Sequence, residues 1–63
     1  MTTEEFMLDV IKADGPCSLK HVLADCKFQG FTKGFVQSLQ SLKNKRLIET
    51  FIEEDGSVTV ELI

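Results

Sequence analysis

The sequence predicts an α+β fold in which three short helices are followed by a C-terminal β-hairpin. Two observations lead to this prediction. Apolar residues recur at helical spacing in three segments that each follow a capping residue. From Leu47 onward, strand-like segments lie on both sides of a Glu54-Asp55-Gly56 turn. A chain of 63 residues has room for one small hydrophobic core, so we expect a single domain over residues 1–63.

The first predicted helix covers residues 3–13. Thr2 and Glu5 have the spacing of a capping box, in which each side chain accepts a hydrogen bond from the backbone N–H of the other residue. One side of the helix carries the apolar residues Phe6, Met7, Val10 and Ile11. Gly15 and Pro16 then end the helix, because Gly permits a left-handed cap and Pro cannot continue a helix.

The second predicted helix covers residues 19–27, with Ser18 as its N-cap. Its apolar stripe consists of Leu19, Val22, Leu23 and Cys26. Residues 28–31 follow as a linker that contains Gly30, and their number and composition are typical of the turn in a helix-turn-helix unit.

Thr32 is the expected N-cap of the third helix. A hydrophobic staple between Phe31 and Val36 would then set the direction in which the chain enters this helix. Gly34 would lie in the first turn, where it costs about 0.5–1 kcal/mol relative to Ala. The expected inward face consists of Phe35, Val36, Leu39 and Leu42.

The hairpin register follows from a comparison of two loops. A two-residue loop of Asp55 and Gly56 would mix polar and apolar side chains on one face. A three-residue loop of residues 54–56, with Gly56 left-handed, separates them, and we therefore predict this loop. It pairs Ile52 with Val58, Thr50 with Val60, and Ile48 with Leu62. It also places Glu49 opposite Glu61 on the outer face, which water and salt make tolerable.

Residues 18–48 contain a capped helix, a short turn, a second capped helix with paired leucines, and Leu47-Ile48 leading into a strand, in the text SLKHVLADCKFQGFTKGFVQSLQSLKNKRLI. This pattern resembles the winged helix-turn-helix superfamily over nearly the whole chain. The resemblance implies a three-helix bundle with a helix-turn-helix, followed by a two-stranded β-hairpin wing. Arg46 departs from the family, in which Gly is common at this left-handed position, and the departure costs about 1 kcal/mol.

The resemblance also implies that the third helix is a recognition helix in the major groove of double-stranded DNA. The DNA-binding residues expected on this basis are Lys33, Gln37, Gln40, Ser41, Lys43, Asn44, Lys45 and Arg46. Residues 18–46 carry a net charge of +5, whereas residues 1–17 carry -3 and residues 47–63 carry -5. Positive charge is thus concentrated where phosphate contact would need it, although any solvated helix face carries similar residues.

The acidic residues Glu53, Glu54 and Asp55 occupy the tip of the hairpin. Phosphates would repel them, so we expect the wing to stay away from a bound duplex and a single domain to bind weakly. An alternative function is protein interaction, in which the wing of an accessory protein or a phage- or mobile-element-encoded modulator binds a basic protein partner. A simpler role is protection of an exposed edge strand.

Catalysis, cofactors and metal ions are not expected. The chain has no Ser/His/Asp arrangement and no glycine-rich phosphate loop, and His21 has no evident carboxylate to orient it. Cys17, His21 and Cys26 do not suit zinc, because Cys26 would lie about 180° from Cys17 around a helix. We expect Cys26 in the core, His21 at the surface and both thiols reduced.

The acidic N-terminal residues lack the features of a secretory signal. No apolar run approaches the roughly 20 residues that span a bilayer. We therefore expect a cytoplasmic protein without membrane contact, and the sequence leaves its oligomeric state open.

Overall fold

The computed structural model describes all 63 residues. The helices are α1 (Thr3–Asp14), α2 (Leu19–Gln29) and α3 (Phe35–Asn44), and the strands are β1 (Cys17–Ser18), β2 (Ile48–Ile52) and β3 (Val58–Leu62). The strands form one antiparallel sheet in the order β1-β3-β2. The predicted α+β class is confirmed, but the sheet has three strands where two were predicted.

The additional strand is β1, which pairs Cys17 with Val60 and Ser18 with Thr59. A strand of two residues is too short to show an alternating pattern. Its partner lies more than 40 residues further along the chain, so the pairing is a tertiary contact that no local pattern reports.

Strands β2 and β3 pair in the predicted register. The pairs are Ile48 with Leu62, Glu49 with Glu61, Thr50 with Val60, Phe51 with Thr59, and Ile52 with Val58. The N–H of Glu53 donates to the carbonyl of Ser57, and the N–H of Gly56 donates to the carbonyl of Glu53. The loop is therefore residues 54–56, and Gly56 has the expected positive φ of 86°.

The N-terminal caps of α1 and α2 are those predicted from the sequence. Thr2 Oγ1 accepts from the N–H of Glu5 at 3.1 Å, and the Thr2 N–H donates to Glu5 Oε1 at 3.0 Å. Ser18 Oγ accepts from the N–H of His21 at 3.1 Å. Because each cap joins residues three apart, local chemistry is sufficient to determine it.

The end of α2 differs from the prediction. The helix continues through Phe28 to Gln29, and Gly30 ends it in the left-handed conformation at φ 81°. The N–H of Gly30 donates to the carbonyl of Lys27, and the N–H of Phe31 donates to that of Cys26. This pair of bonds is a Schellman motif, in which two helical carbonyls that would be unpaired find donors.

The start of α3 was predicted wrongly. The helix begins at Phe35, its N-cap is Gly34 at φ 71°, and no side chain caps it. Thr32 lies in the preceding turn, where its carbonyl accepts from the N–H of Phe35. Val36 is 71% exposed, so the expected staple with Phe31 is absent and Val36 does not face inward.

Contacts with α1 explain where α3 begins. The ring of Phe31 stacks on that of Phe6, with the ring centres 4.8 Å apart and an angle of 15° between the planes. Thr3 Oγ1 donates to the carbonyl of Lys33 at 3.0 Å. Because both contacts hold the α2–α3 loop against α1, the chain enters α3 two residues later than the capping pattern indicates.

One hydrophobic cluster joins the three helices to the sheet. Its buried members are Met7, Val10, Ile11, Val22, Cys26, Leu42, Ile48 and Val60. No polar or charged residue is buried with them. Cys26 is in the core, as predicted.

None of the three helices combines the length and apolar character required to cross a membrane.

The end of α3 contains the only residue other than Gly with a positive φ, which is Arg46 at 58°. Its N–H donates to the carbonyl of Lys43, and the N–H of Leu47 donates to that of Leu42. This is a second Schellman motif, with Arg at the position that Gly usually occupies. The left-handed conformation costs a residue with a Cβ roughly 1 kcal/mol.

We predict that Arg46→Gly raises the free energy of unfolding by about 1 kcal/mol, since it relieves this strain. Urea denaturation followed by circular dichroism measures the change. Lys43→Gly is the matched control, because Lys43 is exposed within α3 and makes no ion pair, so Gly there should destabilise the protein through the helix alone. Equal effects of the two substitutions would contradict the assignment of strain to Arg46.

Candidate functional site

The solvent-exposed face of α3 is predominantly polar. Phe35 and Leu39 are partly buried and Leu42 is fully buried on the opposite side. The exposed residues are Val36, Gln37, Gln40, Lys43 and Asn44. At 100° per residue they occupy a sector about 120° wide. Four of the predicted DNA-binding residues, namely Gln37, Gln40, Lys43 and Asn44, therefore lie together.

The side-chain amides of Gln40 and Asn44 on this face are hydrogen-bonded to each other. Gln40 Nε2 donates to Asn44 Oδ1 at 3.0 Å, as residues four apart on a helix can. Gln40 keeps its carbonyl oxygen and a second N–H, and Asn44 keeps its NH₂ group. The pair thus presents donors and an acceptor in a defined orientation.

Ser41 was expected to face outward and Lys45 to bind DNA, but Ser41 is half-buried and Lys45 contacts α1. Lys45 Nζ donates to Glu4 Oε2 at 2.6 Å. Hydrogen bonds from Lys45 and then Ser41 lower the pKa of Glu4. Lys45 thereby fastens the C-terminal end of α3 to the first turn of α1, so it is less available to a ligand.

Lys33 and Arg46 lie just outside the two ends of α3. Lys33 was expected in the first turn of α3, but it precedes the helix. Its side chain is exposed. Arg46 follows the helix and is also exposed. The structure contains three ion pairs, two of His21 and one of Lys45. Lys33, Lys43 and Arg46 therefore take part in none. Three unpaired cations therefore accompany the amides of α3.

The acidic hairpin tip has a local structural role that the sequence did not indicate. Asp55 Oδ1 accepts from the N–H of Ser57 at 2.9 Å and from its hydroxyl at 2.7 Å. These bonds lower the pKa of Asp55. Thr59 Oγ1 donates to Glu53 Oε1 at 2.9 Å. Two of the three acids thus stabilise the hairpin, and Glu54 makes no such contact.

His21 contacts two carboxylates, contrary to the expectation that none orients it. Its Nε2 lies 2.5 Å from Asp14 Oδ2 and 3.5 Å from Asp25 Oδ2. The hydrogen bond to Asp14, followed by the charge of Asp25, raises the pKa of His21. Asp14 ends α1, whereas His21 and Asp25 are one turn apart on α2, so the cluster joins two helices.

This cluster is the group of side chains with the geometry to hold a metal ion. One ligand atom from each of Asp14, His21 and Asp25 lies within 4.8 Å of the others. Neither cysteine belongs to the group, and both are free thiols. Burial raises the pKa of Cys17 and of Cys26, which makes their reactive thiolate forms scarce. A protonated His21 between two carboxylates accounts for the same arrangement without an ion.

No protein-family model matches the chain, and comparisons with curated proteins and with solved structures find no match either.

The raised pKa of His21 makes stability dependent on pH. The pKa of His21 in the folded protein exceeds the usual 6.5. At pH values below 6.5, the contacts of the charged imidazole therefore contribute their full stabilisation to the fold. This contribution is lost as the pH rises through the raised pKa. We predict that the difference in unfolding free energy between wild type and His21→Gln decreases over that interval, as measured by urea denaturation.

NMR titration tests the cause directly, because His21 is the one histidine of the chain. Asp14→Asn should return the pKa of His21 toward its usual value, since the first cause of the shift is removed. Asp9→Asn, an exposed position on the same helix, is the control and should leave the titration unchanged. Indistinguishable titrations for wild type and Asp14→Asn would refute this explanation.

Proposed function

We propose that the protein is a small cytoplasmic DNA-binding or transcription-regulatory protein of winged-helix type, in which α3 reads duplex DNA. Three helices and an antiparallel sheet are compatible with that architecture. In this proposal α2 and α3 are the helix-turn-helix and the β2–β3 hairpin is the wing. The observation that carries the proposal is the exposed polar face of α3, with unpaired cations on and beside it.

The residue types on this face match the edges of bases. A Gln or Asn amide pairs with the N6 and N7 atoms of adenine, and Lys pairs with guanine or with phosphate. Because Gln40 and Asn44 are already held by each other, less side-chain entropy is lost when they bind. Lys33 and Arg46 flank the helix and are exposed, and in this proposal they contact phosphates on either side of the groove.

The number of unpaired cations indicates weak binding. Lys33, Lys43 and Arg46 are three charges, and each neutralised phosphate contributes about -0.9 to the slope of log K against log salt concentration. A slope near -3 is shallow for a DNA-binding protein. Affinity should therefore be measurable at low salt and lost near physiological salt, unless a second domain or protomer adds contacts.

Charge reversal on α3 tests the proposal. Lys43→Glu should weaken binding to a mixed-sequence duplex at low salt by at least about tenfold and make the salt slope shallower by about 1. Lys12→Glu on α1 is the matched control, with the same charge change at an exposed position of another helix. Fluorescence anisotropy measures both. Absence of binding at low salt, or equal losses of affinity in the two variants, would refute the proposal.

Amide chemical-shift mapping with the same duplex locates the interface. Shifts should concentrate on residues 33–46 and leave residues 53–56 nearly unchanged, because the acidic hairpin tip repels phosphate. Shifts confined to the hairpin would contradict recognition by α3.

Protein interaction through the hairpin is the second candidate function, in an accessory protein or a phage- or mobile-element-encoded modulator. It is favoured by the exposed apolar residues Phe51 and Ile52, which directly precede the acidic tip. Apolar residues beside clustered acids would suit a basic protein partner. A partner captured by wild type and Lys43→Glu but lost by Glu54→Lys would support this function. Glu54 is the suitable acid to change, since Glu53 and Asp55 hold the hairpin together.

A further inference from the structure

The cluster of Asp14, His21 and Asp25 carries more negative than positive charge. Nε2 of His21 faces both carboxylates, at 2.5 Å from Asp14 Oδ2 and 3.5 Å from Asp25 Oδ2. No lysine or arginine pairs with either carboxylate, because the remaining ion pair joins Lys45 to Glu4. A protonated imidazole supplies one positive charge against two negative charges, so one negative charge is left without a partner.

A divalent metal ion would balance both carboxylates. A proton on Nε2 bonds best to one carboxylate oxygen at a time, whereas a metal ion accepts all three ligand atoms at once. Nε2 without its proton has a lone pair, and an ionised carboxylate offers only lone pairs. Because these acceptors face one another, the cluster requires a cation between them whenever His21 is neutral.

The separations between the ligand atoms fit a zinc ion after a small movement. One ligand atom from each residue lies within 4.8 Å of the others. With bonds of 2.0–2.2 Å, two ligand atoms of a tetrahedral zinc ion lie about 3.4 Å apart. The distance from Nε2 to Asp25 is already close to this value, and Asp14 has to move away by about 1 Å. All three side chains are more than 40% exposed, so they have room to turn.

The position of Asp14 also favours a cation. Asp14 is the last residue of α1. The carboxyl end of a helix carries a partial negative charge, which makes a further negative charge there unfavourable. A bound cation at Asp14 would offset both the carboxylate and the helix dipole.

We propose that Asp14, His21 and Asp25 bind a divalent metal ion of the zinc type, which joins the end of α1 to α2. Imidazole nitrogen together with carboxylate oxygen suits zinc, whereas magnesium and calcium prefer sites made of oxygen alone. Three protein ligands leave the fourth position of a tetrahedral ion to water. The site does not depend on DNA binding.

Isothermal titration calorimetry with zinc chloride at pH 7 tests the proposal, with both thiols kept reduced. The wild type should bind one zinc ion per chain with a dissociation constant on the order of 10 µM, since the site is open and exposed. His21→Gln and Asp14→Asn should each weaken binding at least about tenfold, because each removes a ligand. Asp9→Asn is the matched control, with the same charge change at an exposed position of α1.

Two further measurements exclude other modes of binding. Cys17→Ser should bind zinc like the wild type, because neither cysteine belongs to the cluster. Magnesium chloride at the same concentration should give no binding, whereas a merely acidic surface would take up either ion. Zinc should also raise the Tm of the wild type and leave that of His21→Gln unchanged, since the ion stabilises only the fold that brings the ligands together.

Four outcomes would overturn the proposal. They are absence of zinc binding to the wild type, equal affinities of Asp14→Asn and Asp9→Asn, loss of binding in Cys17→Ser, and magnesium binding as tight as that of zinc.

Discussion

The structure depends on the buried stripe of α1. Met7 and Ile11 have no accessible surface, and with Val10 they meet core residues from the other helices and from the sheet. At roughly 0.05–0.15 kcal/mol per residue, a domain of this size has about 3–9 kcal/mol of stability in total. Truncating one buried Ile or Met to Ala costs about 2–5 kcal/mol, a large share of that margin. No second cluster exists to compensate.

The same helix also positions the candidate interface. Its first turns hold the loop before α3 through Phe6 and Thr3, and they hold the end of α3 through Glu4. With both ends held and its apolar side buried, α3 can expose only one sector. Packing against α1, as much as the helix itself, therefore determines which residues face solvent, namely Gln37, Gln40, Lys43 and Asn44.

Sequence reasoning succeeded where the decisive interactions are local. The caps at Thr2 and Ser18 span three residues, and the hairpin register follows from its loop and from side-chain alternation. It failed where contacts distant in the chain decide the outcome. Thr32 has the chemistry of an N-cap, but Phe31 is held against Phe6, so the helix begins later. Strand β1 exists only through its pairing with β3.

In the candidate site, too, local features were predicted correctly and contacts between helices were missed. Amphipathic spacing placed Gln37, Gln40 and Asn44 outward correctly, because a helix fixes their relative directions. The contact of Lys45 with Glu4 joins the end of α3 to α1, and the contact of His21 with Asp14 joins α2 to α1. The i, i+4 spacing of His21 and Asp25 was the one local signal for the histidine cluster.

The acidic hairpin and the cationic end of α3 are compatible on one small domain because distance separates them. Ser57, next to the acidic tip, lines the same pocket as Phe35 at the start of α3. Lys43 and Arg46 lie at the far end of this helix, whose 10 residues span about 15 Å. Because Coulomb repulsion falls with distance, the hairpin acids weaken the field at that end less than they weaken it at the start of the helix. A duplex is therefore repelled least at the C-terminal half of α3, where the Gln40–Asn44 pair also lies.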